Sequence, residues 1–416
     1  MNPDAESGVA PPSKGMAVQL DRLARLSPPT WIFLWSRLAI WAGAVFVVFA
    51  FAPTPPPVDD PALTHDLGRV IDVWAHWDAK WFLGIAVHGY QAAVPAAPSF
   101  YPLYSGMIGG LGRVLGGHYV LAGVIISLAA TWASFELLYR LAASRMGLDG
   151  ARRAVLYLAI FPMTVFLSAV YSEALFLLLS LAAFSLAERR RWLGAWLIVG
   201  LAVLTRAVGF ALVPALLILA WRAPAHERRR ALLGGAIPFA SFAAYPLLLW
   251  QQTGDAFAFT HGEARWHRHF SPAGPLGGLW DALRAAWAGV EQFASGSQAH
   301  RYWTGDTDTS PFHVAFFNLE GLAYLIVFVG LAVIAWRRFG APYGMYAVAS
   351  LAIPLSTPSR ELPLLSLPRF GLVIFPLFLA LASLGANRRV HVAIIAVSVP
   401  LLAYSVAWFA LWRFVA

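Results

Sequence analysis

Eleven apolar runs dominate this 416-residue chain and constrain it more than any other feature. They lie near 31–51, 119–140, 154–170, 171–187, 192–207, 208–221, 232–251, 314–335, 342–357, 368–385 and 390–412. A membrane-spanning helix needs about 20 apolar residues, with a range of roughly 17–25. Hydrophobic residues make up 59% and charged residues 12%, against about 25% charged in soluble domains. Such a chain cannot cover a water-facing surface. The expected fold is an all-α polytopic membrane protein of about eleven spans. It reads as one transmembrane domain over 31–416, behind a cytoplasmic N-terminal tail at 1–30. No small-residue cleavage site follows the first run, so that run reads as an anchor and not a cleaved signal.

Arginine sets the expected orientation. The net charge is +9, and Lys14 and Lys80 are the only lysines. Arginine clusters occur at 140–153, 189–191, 222–230, 337–338 and 388–389. Basic connections favour the cytoplasmic side, and alternation then makes every second connection cytoplasmic. The segment 101–117, apolar and Gly-rich with Arg113, breaks that alternation if it spans, so it reads as re-entrant or peripheral. Two long loops, 52–118 and 252–313, are then outside and hold most of the acids and histidines. Each carries a helical apolar period: Val70, Trp74, Trp77, Trp81 and Ile85 in the first, Trp280, Leu283, Trp287 and Val290 in the second. Tryptophan on such a face suits the membrane interface. Two helices lying flat on the outer leaflet are expected, with packing on the bundle as the open alternative.

With no cysteine, disulfides, thiol catalysis and Cys-ligated metals are excluded. The basic charge fits membrane loops and not nucleic-acid binding. Among the candidates for chemistry, Asp78 lies between Trp77 and Trp81 in the first outer loop, placed to take a proton from a hydroxyl. A solvated helix-surface aspartate is the alternative. Glu173, after Tyr171 and Ser172, falls at the outer end of two short spans, where an ionisable group is costly without a cavity or partner. Arg206 and Arg369, with Arg360 beside Glu361, lie at outer span ends against the positive-inside bias. Arginine there suits phosphate, with snorkelling to headgroups as the alternative. The Asp306-Thr307-Asp308 pattern is common by chance. His261, His267 and His269 meet no spacing specific to a metal site. Phosphate-binding glycine loops and nucleophile elbows are absent.

Several of these residues fall in motifs. The run Trp77-Asp78-x-x-Trp81-Phe82-x-x-Ile85-Ala86-x-x-Gly89-Tyr90 resembles the first-luminal-loop motif of the GPI mannosyltransferase II (PIG-V-like) family. Phe100-Tyr101-Pro102-Leu103-Tyr104, the segment from Phe161-Pro162 to Tyr171-Ser172-Glu173, Thr205-Arg206-x-x-Gly209 and Pro368-Arg369-Phe370 follow in the same order. The resemblance covers about residues 31–386. It implies a GT-C-type bundle and an inverting glycosyltransferase that uses a polyprenyl-phosphate sugar, usually mannose, on the non-cytoplasmic side. It also implies an acidic base in the first outer loop, a role that matches Asp78. The binding candidates are Arg206, Arg369, Arg360, Glu173, Tyr171, Trp77, Trp81, Tyr90 and Tyr101. No cofactor is implied, and a divalent metal is left open.

The expected setting is the plasma membrane, with the site on the extracytoplasmic face among membrane lipids. The Ala/Arg/Gly/Pro bias points to a GC-rich bacterial genome, where GPI is not expected. The acceptor is therefore not carried over, and a glycan, lipid or protein acceptor is open. A sugar phosphodiester needs no acid to release its anionic leaving group, so one carboxylate and two or three arginines suffice. A lipid-linked sugar transporter or flippase is the rival class. It calls for charge near the bilayer midplane and paired repeats. A non-catalytic subunit of a membrane complex is a third reading.

Overall fold

The computed structural model describes residues 26–52, 63–302 and 310–415. Most of the N-terminal tail, Lys14 included, and the Asp306-Thr307-Asp308 pattern lie outside the described residues. Among the described residues the fold is helical, and the one β-type pairing is an isolated antiparallel bridge between Arg268 and Ser359.

Among the described residues, five helical stretches are long and apolar enough to cross a membrane: Pro28–Phe51, Tyr119–Ala159, Ala225–Thr253, Pro311–Phe339 and Arg388–Ala410. Trp192–Val203, Ala207–Trp221 and Phe375–Leu384 are shorter apolar helices. Helix α1 (Pro28–Phe51) begins where Pro28 and Pro29 cannot donate to an earlier turn, and the Ser27 hydroxyl accepts the Thr30 N–H. Helix α2 (Tyr119–Ala159) runs straight into the first arginine cluster and is broken only at Gly147, with φ 71°. Glycine enters that region without a Cβ penalty. The expected span 154–170 stops at Ala159, because Pro162 has no N–H for a continuing helix, and Pro162–Leu167 winds as a 3-10 segment.

The arginine clusters meet at one end of the bundle. Arg145 pairs with Glu188, and the Tyr343 hydroxyl donates to the same carboxylate. Arg153 donates to the Ala382 carbonyl at 3.1 Å, and Tyr157 bonds His391 at 2.7 Å. Trp192 donates to Glu227 at 3.3 Å. Loops 63–118 and 254–302 contribute instead to the opposite end, where the cavity described below opens.

One sequence expectation changes, and another holds. The first apolar period does not form one flat interfacial helix. It breaks into Arg69–Asp72, a 3-10 turn at Val73–Ala75, and helix α3 (Ala79–His88). Trp74 is fully buried against Trp41, with ring centroids 4.8 Å apart. Packing on the bundle competes successfully with the interface for that ring. The segment 101–117 holds helix α4 (Pro102–Val114). At about 1.5 Å per residue it is too short to span. It lies back along α3, so close that a Cβ on Gly109 would come within 2.8 Å of the Ala86 carbonyl oxygen.

The second period does form one helix, α5 (Pro275–Ser295). Its small residues Gly278, Ala282, Ala285 and Gly289 are buried, and Trp280, Leu283, Trp287 and Val290 face outward.

Candidate active site

Local backbone places Asp78. Trp77 has φ 57°, a conformation that a bulky residue adopts only when its surroundings hold it there. Tyr171 supplies the hold. Its hydroxyl donates to the His76 carbonyl at 3.1 Å and accepts the Asp78 N–H at 3.0 Å, so it grips the chain on both sides of Trp77. His76 is buried, donates Nδ1–H to the Phe409 carbonyl at 2.9 Å, and stacks on Trp412 at 3.7 Å between centroids. Burial lowers its pKa from 6.5 to about 4, which keeps it neutral.

Four charged groups then alternate in sign. Asp78 Oδ2 meets Arg369 Nη1 at 2.7 Å. Arg369 Nε lies 3.3 Å from Glu173 Oε1, and Arg206 Nη1 lies 2.6 Å from the same oxygen. Glu173 is 1% exposed, whereas Asp78 is 22% and Arg206 16% exposed. The buried carboxylate is thus the one with two cations. It also opens helix α6 (Glu173–Glu188), where the helix dipole favours an anion. Arg369 lies over the faces of Phe166 and Tyr171, 5.3 and 5.4 Å from the ring centroids.

These groups line a cavity of about 1070 Å³. Small-molecule pockets run to roughly 300–1,000 Å³, so the space exceeds one hexose. On one side of Asp78, Trp77 meets Trp412 and Phe414, each at 6.1 Å. On the other, Trp81 meets Phe100 at 6.0 Å and Trp266 at 6.1 Å. Lys80 lies 4.7 Å from the Trp81 ring. Val208, Phe270, Ile353 and Pro354 add an apolar stretch beside the arginines. Glu263 is half-exposed in the wall; desolvation raises its pKa, with Arg268 pulling the other way.

Of the residues singled out from sequence, Asp78, Glu173, Arg206, Arg369, Tyr171, Trp77, Trp81 and Tyr101 all line this cavity. Two do not. Tyr90 is buried, with its hydroxyl committed to the Phe100 carbonyl at 2.6 Å and its N–H to Gln252 at 2.8 Å, so its role is to tie down the loop. Arg360 is exposed and off the cavity, and only its backbone N–H is engaged, by the His267 carbonyl at 3.0 Å. Sequence reasoning missed Lys80, Glu263, Trp266, Arg268, Phe370 and Trp412. The argument applied to Arg206, an arginine in an outer region against charge bias, applies equally to Arg268. Of the histidines, His261 pairs with Asp255 at 2.7 Å and His267 with Glu361 at 3.3 Å. Among the described residues no group of three His, Asp or Glu side chains could hold a metal ion.

Residues 59–220 match the family model described as mannosyltransferase (PIG-V). That stretch includes Asp78, Glu173 and Arg206, and bears out the PIG-V resemblance there. No curated protein matches the sequence. Among solved structures, the chain is similar to the oligosaccharyltransferase of Archaeoglobus fulgidus tethered with an acceptor peptide. That match has 14% identity and a TM-score of 0.44, over 92% of this chain and 55% of that one. It is also similar to ArnT from Cupriavidus metallidurans bound to undecaprenyl phosphate, with 15% identity and a TM-score of 0.45, over 96% of this chain and 77% of that one. The chain spans about half the length of the oligosaccharyltransferase.

Proposed function

We propose that this PIG-V-like chain is an inverting GT-C glycosyltransferase. It moves mannose or a related hexose from a polyprenyl phosphate to a lipid, glycan or protein acceptor on the extracytoplasmic side of the plasma membrane. The observation that carries the reading is the convergence of Asp78, Glu173, Arg206 and Arg369, drawn from four distant segments, on one cavity.

The chemistry follows from those groups. The Asp78 carboxylate takes the proton of the acceptor hydroxyl. The hydroxyl oxygen attacks the anomeric carbon from the face opposite the phosphate, and the bond between that carbon and the phosphate oxygen breaks. The polyprenyl phosphate leaves as an anion, stabilised by guanidinium groups already in position. Trp77 and Trp81 flank the base with aromatic faces suited to a sugar, and the apolar stretch beside the arginines suits the start of a polyprenyl chain.

The test is transfer by the purified protein, with polyprenyl-phosphate-mannose as donor and a membrane extract as acceptor source. Labelled mannose should pass to an acceptor in the extract. Release of free mannose only, or no consumption of the donor, would count against the reading.

A further inference from the structure

Three guanidinium groups surround one phenyl ring in the cavity wall. The Cζ atoms of Arg206, Arg268 and Arg369 lie 5.5, 5.8 and 5.8 Å from the centroid of Phe370. Their partners differ. Arg206 and Arg369 are each in contact with a carboxylate, at 2.6 and 2.7 Å. Arg268 donates to two neutral acceptors, the carbonyls of Thr357 and Leu365, both at 3.0 Å. Its carboxylate neighbour, Glu263, stands off at 3.8 Å. The charge of Arg268 is therefore not neutralised at contact.

Arg268 is also held firmly. The segment around it pairs with the loop before Phe370, through His269 N–H to the Pro358 carbonyl at 3.2 Å and Ser271 N–H to the Ser356 carbonyl at 2.9 Å. A planar guanidinium fixed by two carbonyls loses little further freedom when it binds an anion. The cavity as a whole has room for that anion. Lys80, Arg206, Arg268 and Arg369 give four cations in its lining, and Asp78, Glu173 and Glu263 give three carboxylates.

We propose that Arg268 is the principal ligand of the phosphate on the lipid-linked substrate, and that Arg206 and Arg369 first hold Glu173 and Asp78 in place. The assignment rests on the glycosyltransferase reading and adds to it a residue outside the stretch matched by the family model. When the sugar leaves, the phosphate gains negative charge, and the guanidinium without a carboxylate in contact has the most to gain from it.

The experiment measures binding of a polyprenyl phosphate and of the matching neutral polyprenol to the full chain in lipid nanodiscs. The proteins are wild type, Arg268→Gln, Arg268→Lys, Arg206→Gln and the exposed control Arg113→Gln. Arg268→Gln should weaken polyprenyl phosphate by roughly ten- to a hundredfold, the worth of charge-assisted hydrogen bonds. Polyprenol binding should stay unchanged, and Arg268→Lys should recover part of the loss. Loss of both probes in Arg268→Gln marks a structural role and overturns the proposal. Phosphate preference kept in Arg268→Gln but lost in Arg206→Gln overturns the assignment and leaves the glycosyltransferase reading standing. A wild-type protein that binds phosphate no better than the alcohol overturns both.

Discussion

Replacing Asp78 by Asn separates chemistry from packing. Asn keeps the shape of the side chain, and its carbonyl oxygen can still accept from Arg369 Nη1, now 2.7 Å away. The backbone N–H still reaches the Tyr171 hydroxyl. What is lost is one negative charge in a pair whose side chains are 22% and 12% exposed. Arg369 keeps a second carboxylate, Glu173, at 3.3 Å, so the cost falls between that of a surface pair and that of an unpaired buried charge, on the order of 1–2 kcal/mol. Turnover behaves differently. General-base catalysis is worth about 10²–10⁴-fold, or roughly 3–5 kcal/mol of barrier. Asp78→Asn should therefore lower kcat a hundredfold or more, with the unfolding temperature lowered only slightly and donor affinity within a few-fold. Single-turnover transfer from polyprenyl-phosphate-mannose, run beside donor binding and a thermal melt, reads all three. A variant that keeps a tenth or more of wild-type kcat would refute the role of Asp78 as base. A variant that loses donor binding as much as turnover would show a binding role instead.

Glu173→Gln should behave in the opposite way, because removing a carboxylate that is 1% exposed leaves two guanidiniums short of their partner. A loss on the order of 3 kcal/mol in stability accompanies its loss of transfer, and a melt as stable as wild type would contradict that. His76 makes stability depend on pH. Its folded pKa of about 4 lies below 6.5, so the unfolded state binds more protons between those values, and stability is full above pH 6.5 and falls toward pH 4. The size is on the order of 3 kcal/mol, and His76→Gln should flatten the melting temperature across that window. Gly109→Val should pry α4 from α3, since its Cβ would lie 2.8 Å from a backbone oxygen. A cost of about 1–3 kcal/mol is expected, read as a lower melting temperature.

Much of this site was legible because its residues violate a local rule. Glu173, Arg206 and Arg369 are charges in apolar surroundings where lipid alone would not tolerate them, and Asp78 lies in a tryptophan-rich motif. The apolar runs located most helices to within a few residues, and the arginine-rich connections meet at one end. The kink at Trp77 was not legible. The period of three and four through Val70, Trp74, Trp77 and Trp81 continues across it, and distant groups hold the break, the Tyr171 hydroxyl and the Phe409 carbonyl among them. Arg268 carries the same against-bias signal as Arg206, but its bonding was not legible. Its partners, Thr357 and Leu365, are 89 and 97 residues away, and no local pattern announces a bond to a remote carbonyl.

The four alternating charges share a location that explains how an apolar bundle holds them. Asp78 directly precedes α3, and Glu173 is the first residue of α6. Arg206 follows the helix Trp192–Val203, and Arg369 lies in the short helix Leu367–Gly371. Each is at or beside a helix end, where backbone groups already lack partners and the chain must break its regular pattern. The breaks have their own causes: the left-handed Trp77 and Ser366, with φ 57° and 64°, and Pro162 before the turn that leads to Glu173. Stacking these ends together puts every cation against an anion. The ionic set is thereby offset internally, and each member depends on the others. Removing Glu173 leaves Arg206 without a carboxylate and exposes it to its own desolvation cost, whereas removing Asp78 leaves Arg369 its second partner. Arg268 stands beside this closed set and outside it, which is why the site has both a fixed framework and a cation left over for a ligand.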